Sequence, residues 1–233
     1  MQRTDSAAAE ALVMLENNDS KLTTDSKARS AWSRFLMTQM MRSPRDIEAL
    51  KNSVAAQWDR FVPELKEKYE KTKGKNDPAT FDEWMDTSSP EEAERIAMQL
   101  VTRLMDHAKI GDLLNNMRWF IQRISSDVGE FYTCDNPIMT TLTLKERNAY
   151  LTVPIGPKAL FCAVNDVETQ RAILNRDPDT LVKKNNEYVV GRAQRFAYSC
   201  TDEALPFMQK YFGVHPRTTL LEQLAAYQKK KRD

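Results

Sequence analysis

Apolar side chains recur every three or four positions through the first half of the chain. One stripe comprises Ala28, Trp32, Phe35, Leu36 and Met40, and a second runs from Ile47 to Leu65. This spacing places each stripe on one face of an amphipathic helix. The pattern therefore predicts helices that face a core.

Serine and proline positions mark the expected helix boundaries. Ser43 suits an N-cap and Pro44 the first helical position, and Ser88-Ser89-Pro90 repeats that start signal. Pro63 lies inside the second stripe and is expected to kink or end its helix. The clearest loop signal is Lys73-Gly74-Lys75-Asn76-Asp77-Pro78.

Alternation of polar and apolar residues replaces the helical pattern near Gly111. Met117–Ile124 and Glu130–Cys134 are interpreted as neighbouring strands across a turn at 125–129. Ala149–Val153 and Ala159–Val164 are interpreted as two further strands, joined through Pro154-Ile155-Gly156-Pro157. These segments predict a small, mainly antiparallel sheet.

Helical signals return after this sheet. Asp177-Pro178-Asp179 is expected to open a helix that runs to about Arg195, and Phe196–Cys200 to form a last strand before C-terminal helices. The fold class that follows is α+β, a helical N-terminal half packed on the sheet. We expect one domain over residues 1–233, with a helical lobe at about 1–112 and a sheet-bearing lobe at about 113–233.

Charge and cysteine usage narrow the function classes. The 34 basic and 33 acidic residues give a net charge of only +1, which disfavours nucleic acid as the partner, because phosphate binding relies on a basic excess. The basic run 229–232 is interpreted as a solvated end. Cys134, Cys162 and Cys200 are widely spaced and odd in number, so we expect buried small side chains in a reducing cytosol.

The same reading addresses location and cofactors. No apolar run is long enough for a transmembrane helix, and Met1–Ser6 has no apolar signal core. We therefore expect a cytoplasmic protein that does not enter a membrane. The six glycines are isolated and His107 and His215 stand far apart, so no cofactor is indicated and no metal site is predicted from histidines.

Three segments together resemble an uncharacterised bacterial and phage family, the domain of unknown function 4238. They are Arg29-x5-Phe35-Leu36-x2-Gln39-x2-Arg42-Ser43-Pro44; Phe131-Tyr132-Thr133-Cys134-Asp135-Asn136-Pro137 with the later Pro154-Ile155-Gly156-Pro157; and Asn185-Asn186 with Ala193 and Arg195-Phe196-Ala197-Tyr198-Ser199. The resemblance spans roughly residues 28 to 200. The Asp-Asn-Pro strand end is its most specific element.

The resemblance implies the fold but carries no established activity. Family members usually open with a His-Tyr-Val-Pro-like segment, and nothing similar stands at the start of this sequence. The chain is therefore expected to be a shortened member of the family or a piece of a longer one. A link to phage or mobile elements follows from the resemblance as an expectation.

Asp135 is the leading candidate for chemistry. A carboxylate at a strand end beside a proline can project toward a cleft and bind a metal or act as a base. The alternative is a turn, in which the carboxylate accepts hydrogen bonds from nearby backbone N–H groups. Asn136 shares this strand end and is a candidate for binding.

Arg192 and Arg195 are two further binding candidates. The segment Gly191-Arg192-Ala193-Gln194-Arg195-Phe196 could present their guanidinium groups to a phosphate or an acidic partner. The alternative, which we favour, is that both pair with local acids on a solvated face.

Two functions remain open at this stage. The first is a non-catalytic interaction or regulatory module with a protein partner or a second copy of itself, because no complete catalytic set is found. The second is a metal-dependent hydrolase or nuclease centred on Asp135, the only case in which Asp135 would be a metal ligand.

Overall fold

The computed structural model of the chain describes residues 2–17, 19, 21, 25–41, 44–56, 58–87, 98–99, 108–141 and 143–215. The start signal Ser88-Ser89-Pro90, His107, Ser43 and the basic run 229–232 lie outside these residues. Contacts between Cα atoms divide the chain into two compact units, Met1–Ser43 with Asp106–Asp233, and Pro44–Met105. The expected single domain with its two lobes stays a prediction.

Helices and strands follow one another as an α+β arrangement. The helices are α1 (Gln2–Glu16), α2 (Ser26–Met41), α3 (Pro44–Ala56), α4 (Trp58–Thr72), α5 (Phe81–Thr87), α6 (Ala108–Asn116), α7 (Val167–Leu174), α8 (Pro178–Gly191) and α9 (Leu205–Tyr211), with a short 3-10 helix at Asp202–Ala204. The strands are β1 (Arg118–Arg123), β2 (Thr133–Cys134), β3 (Met139–Thr140), β4 (Tyr150–Gly156), β5 (Ala159–Val164) and β6 (Ala197–Tyr198). The predicted fold class is confirmed.

The main sheet of the first unit is antiparallel throughout, in the order β1-β5-β4-β3. All six residues of β5 are buried, because both faces of this central strand are covered. On one face, Phe161 and Ala163 join a core with α1, α2 and α6. On the other, Leu160 and Cys162 pack with Leu181 and Val182 of α8 and its neighbours. Coverage of both faces explains the unbroken apolar run of β5.

Arg29 joins α2 to the start of the sheet. Its guanidinium donates to the carbonyl oxygens of Asn115 (2.7 Å) and Met117 (3.0 Å) and lies 3.8 Å from the centroid of the Trp119 ring. Burial lowers the pKa of Arg29, but the ordinary value is so high that the group stays charged. Ser33 adds a hydrogen bond to the Asn115 side chain, so the first family-like segment holds the junction of α6 and β1.

One strand pairing differs from the sequence expectation. Glu130–Cys134 is not the neighbour of β1, whose partner is β5; only Thr133 and Cys134 form a strand, and it pairs with β6 in a separate two-stranded sheet. Backbone groups of Glu130 and Tyr132 are bonded by a side chain of α8, and the Phe131 N–H donates to the carbonyl of Pro157. These bonds replace the expected ladder.

Helix α8 is shorter than predicted. Asp177 caps its start by accepting from the Thr180 N–H, but α8 ends at Gly191 instead of about Arg195. The chain then turns back, and the His215 N–H donates to the Gly191 carbonyl at 2.9 Å. The imidazole lies against Gly191 so closely that a Cβ there would be 2.4 Å from the ring. A side chain at position 191 would therefore require the His215 ring to move.

The second unit contains α3, α4 and α5. Helix α3 begins at Pro44 as predicted, whereas Pro63 does not end α4, which continues to Thr72. The predicted loop at 73–78 is confirmed. Tyr69, Phe81 and Trp84 form a cluster of rings with centroids 5.6–5.9 Å apart, and the Tyr69 hydroxyl donates to the Pro78 carbonyl.

Removal of the Phe161 side chain tests the central position of β5. This ring is fully buried and packs edge-on against Trp32 and Trp119 at 5.5 and 5.3 Å. Phe161→Ala is expected to lower the free energy of unfolding by about 3–5 kcal/mol, measured by urea denaturation. The matched variant Phe196→Ala, at a side chain that is 56% exposed, should cost at most about 1 kcal/mol. Equal losses would contradict the assigned core.

Titration of Asp166 predicts a pH dependence. The Thr169 hydroxyl and then its N–H stabilise this carboxylate at the start of α7 and lower its pKa from 3.8 to about 2. The ionised form is favoured in the folded chain, so its contribution to stability is complete above pH 3.8 and is lost as the pH falls towards 2. Asp166→Asn should show a flatter decline over that window in chemical denaturation. The control Asp112→Asn should lose stability with falling pH as the parent does. An equal decline in the parent and Asp166→Asn would contradict the role assigned to Asp166.

Candidate functional site

Helix α8 holds the segment Phe131–Pro137 through a buried amide. The Asn186 side chain is 3% exposed; its Oδ1 accepts from the Tyr132 N–H (2.9 Å) and its Nδ2 donates to the Glu130 carbonyl (2.7 Å). An amide offers one acceptor and one donor side, so it satisfies both backbone groups as a neighbouring strand would. This pairing fixes where the candidate residues lie.

Further hydrogen bonds, from the Cys134 side chain and from the main chain, attach the segment between Cys134 and Asn136 to neighbouring elements. The buried Cys134 thiol donates to the Val189 carbonyl of α8 (3.2 Å), and its sulfur accepts from the Asn136 N–H (3.2 Å). The Asp135 N–H donates to the Phe196 carbonyl (3.2 Å). The segment is thus attached to α8 and to the chain that follows it.

The Asp135 carboxylate accepts two backbone hydrogen bonds. The Gln194 N–H donates to Oδ1 (2.9 Å) and the Arg195 N–H donates to Oδ2 (2.7 Å). Both donors belong to the loop between α8 and β6, so the carboxylate shapes that loop from 60 residues away. This is the hydrogen bonding that the turn alternative requires, here formed across the fold instead of within one turn. A catalytic role of Asp135 stays a prediction.

Metal-ligating groups do not converge in the described part of the chain. No group of three or more His, Cys, Asp and Glu side chains there could hold an ion. Asp166 caps α7, and the Glu130 carboxylate accepts from the Cys200 N–H at 2.8 Å. The Asp166 and Glu130 carboxylates are therefore both hydrogen-bonded to backbone N–H groups.

The two arginine candidates, Arg192 and Arg195, differ in burial and in bonding. Arg192 is half-buried, and its guanidinium donates to the Tyr188 hydroxyl (2.8 Å) with its Cζ 5.6 Å from that ring. Arg195 is exposed, and only its main chain is bonded within the described residues. Among the described residues, neither forms the pair with a local acid that the sequence analysis favoured. Asn136 is half-buried beside this loop, and its N–H is bonded to Cys134.

The three cysteines differ in their surroundings. Cys134 and Cys162 are buried as expected, whereas Cys200 is exposed, which corrects the expectation for that residue. Burial raises the pKa of Cys162, and hydrogen bonding to Glu130 raises that of Cys200. A raised pKa keeps a thiol protonated, so neither is activated as a nucleophile.

An open groove of about 540 Å³ lies beside the Asn186 amide. Its walls come from α8 and α9 and its end from the segment before β2, with the lining Gly129, Glu130, Tyr132, Asp179, Val182, Lys183, Asn186, Pro206, Phe207, Lys210 and Tyr211. We call it the α8–α9 groove. None of these residues was a binding candidate from the sequence, and Tyr132 and Asn186 entered only through the family-like segments.

A usable signal for the groove exists in the sequence. Asn186 occupies the same helical stripe as Val182 and Val190, where a polar residue is unexpected, and all three are buried. A buried polar residue requires a partner, and Asn186 finds it in the groove-lining segment. The partner itself is not visible from spacing along the chain.

A protein-family model matches this chain. The model described as protein of unknown function (DUF4238) covers residues 1–203. The chain belongs to this family. No curated protein and no solved structure matches it. Within the described residues, no helix is long and apolar enough to cross a membrane.

The DUF4238 signature segments have defined structural tasks here. Asn186 of the third segment bonds the backbone on either side of Phe131 in the second, and Asp135 of the second accepts from Arg195 of the third. Pro157, at the end of the proline-rich strand connection, accepts from the Phe131 N–H. The most specific parts of the resemblance therefore meet in one place.

The two hydrogen bonds that Asp135 accepts from the N–H groups of Gln194 and Arg195, which we call the Asp135 clamp, can be tested by substitution. Asp135→Ala leaves the N–H groups of Gln194 and Arg195 without this acceptor, so we expect the free energy of unfolding to fall by about 1–3 kcal/mol, measured by urea denaturation. The matched Asp112→Ala, at an exposed site in α6, should stay within about 0.5 kcal/mol of the parent. An unchanged stability in Asp135→Ala would contradict the clamp.

Proposed function

We propose that this DUF4238 protein is a non-catalytic interaction module that binds an extended, acidic segment of another protein. Its binding surface is formed by Arg195, Phe196 and Tyr198, which we call the aromatic edge. The cytosolic setting and the phage or mobile-element link expected from the resemblance belong to the same proposal.

Exposure of two stacked rings is the observation that carries this proposal. Phe196 and Tyr198 are 56% and 54% exposed, and their ring centroids lie 6.2 Å apart. Ala197 between them packs inward with Cys134, Val189 and Ala193, so the two rings share the opposite, outward face. Neighbouring exposed aromatic side chains are typical of binding surfaces.

Strand β6 also offers backbone groups to a partner. In the described part of the chain it pairs with β2 alone, so its second edge has no ladder. An extended segment could add there as a third strand, with main-chain bonds for affinity and the two rings for selectivity.

Charge indicates the chemistry of the partner. Arg195 directly precedes Phe196 in the chain and is exposed, with no ion pair among the described residues. A carboxylate can bind a guanidinium through two parallel hydrogen bonds. The added segment should therefore carry an acidic residue beside its apolar ones.

Affinity capture with edge variants tests this function. The full chain should retain a protein from native lysate, and that protein, once purified, should bind the parent at least about tenfold more tightly than Phe196→Ala, Tyr198→Ala or Arg195→Gln. The control Leu174→Ala changes an exposed side chain on α7 and should bind like the parent. Added salt should weaken the complex, since Arg195 contributes by charge.

Three outcomes would contradict the proposal. They are recovery of only the chain itself, equal binding by the edge variants, and self-association of the parent that the edge variants abolish in light scattering. The last would make a second copy the partner. For the alternative hydrolase, calorimetry with Mg²⁺ and Mn²⁺ is the direct test: binding to the parent that Asp135→Asn loses would support it against the interaction module.

A further inference from the structure

We infer that the α8–α9 groove is a binding site for a small organic anion, a carboxylate or phosphate attached to a planar ring. The site is distinct in residues from the aromatic edge and goes beyond the proposed interaction. Its volume of about 540 Å³ lies within the range of small-molecule pockets, roughly 300–1,000 Å³.

Two ammonium groups supply the positive charge. Lys183 lines the groove from α8 and Lys210 from α9. Neither forms an ion pair among the described residues, whereas the adjacent Lys184 pairs with Glu187 at 3.3 Å. The Lys210 Nζ lies 5.0 Å from the centroid of the Tyr211 ring, and among the described residues this ammonium has no hydrogen-bond acceptor that would compete with an oxygen anion.

Aromatic rings supply the contact for the planar body. Phe207 packs edge-on against Tyr132 with centroids 5.5 Å apart, and Tyr211 lies 4.5 Å from Phe207. All three are half-buried, so each keeps a ring surface open to the groove. A flat ligand can stack or pack edge-on there, and rings prefer both geometries.

The Tyr132 hydroxyl and the Asn186 amide are two polar groups in the groove lining, and they have different roles. Burial, followed by the charges of Glu130 and Glu203, raises the pKa of Tyr132, so its hydroxyl remains a proton donor. Both polar atoms of the Asn186 side chain are hydrogen-bonded to the backbone, so this lining residue is held in place. Preformed walls of this kind reduce the ordering cost of binding.

Acidic groups limit the affinity for an anion. The Glu130 carboxylate is bonded to the Cys200 N–H, but Asp179 is exposed, lies one helical turn before Lys183 and lines the same groove. Its charge repels an anion, so its removal should strengthen binding. Removal of the Asp179 charge should thus change the anion affinity in the opposite direction to removal of a lysine charge. A groove that binds only through apolar contacts would show neither effect.

Titration of the full chain with phenyl phosphate, followed by amide NMR shifts, tests the site. We expect saturable shifts at groove residues in the millimolar range, and at least about tenfold weaker binding of inorganic phosphate and of phenol, since each lacks one of the two recognised parts. Lys183→Gln and Lys210→Gln should each weaken phenyl phosphate binding about threefold, the scale of an exposed ion pair. Asp179→Asn should strengthen it about twofold.

Lys184→Gln is the matched control, because it removes the same charge from the next residue of α8, outside the groove lining. It should bind like the parent. The inference is overturned if phenyl phosphate causes no shifts in the groove, if phenol binds equally well, or if Lys184→Gln weakens binding as much as Lys183→Gln. None of these readouts involves Arg195, Phe196 or Tyr198, so failure here is distinguishable from failure of the proposed interaction.

Discussion

The Asn186 amide is the constraint on which the described sites depend. It substitutes for a strand by bonding the backbone of Glu130 and Tyr132, and so draws the segment Phe131–Pro137 onto α8. Position along α8 then places Cys134 beside Val189 and Asp135 beside the loop that leads into β6. The positions of the groove and of the aromatic edge both follow from these bonds. The groove is lined by Glu130 and Tyr132, and the aromatic edge lies on β6, which pairs with the next residues, Thr133 and Cys134.

Several charged side chains of this protein serve to hydrogen-bond backbone groups that lie at helix ends or outside regular helices and strands. Asp135 bonds two N–H groups, Arg29 two carbonyls, and the Lys158 ammonium the carbonyls of Val128 and Gly129. Each of these charged groups orders a segment that has no regular ladder. Among the described residues, Arg195, Lys183 and Lys210 have no such task, and they belong to the two surfaces that we propose as binding sites.

Much of the fold was predictable because local periodicity reports burial directly. The apolar run of Ala159–Val164 correctly indicated a strand, and Asp177-Pro178 correctly marked a helix start. Glu130–Cys134 misled, because an extended backbone bonded by an asparagine and one bonded by a strand have the same side-chain pattern. The Asp135 contacts were likewise hidden, since Gln194 and Arg195 are brought close only by the end of α8 at Gly191.

Antiparallel pairing on both edges of β5 has a consequence for the order of folding. Gly156 pairs with Ala159 across a tight connection, whereas β1 reaches the same strand from before the whole segment Ile124–Gly156. Closure of a short loop costs less conformational entropy than closure of a long one. The β4–β5 hairpin is therefore expected to form first and to offer its open edge to β1, and the loop enclosed by that late pairing carries the residues that Asn186 must still find.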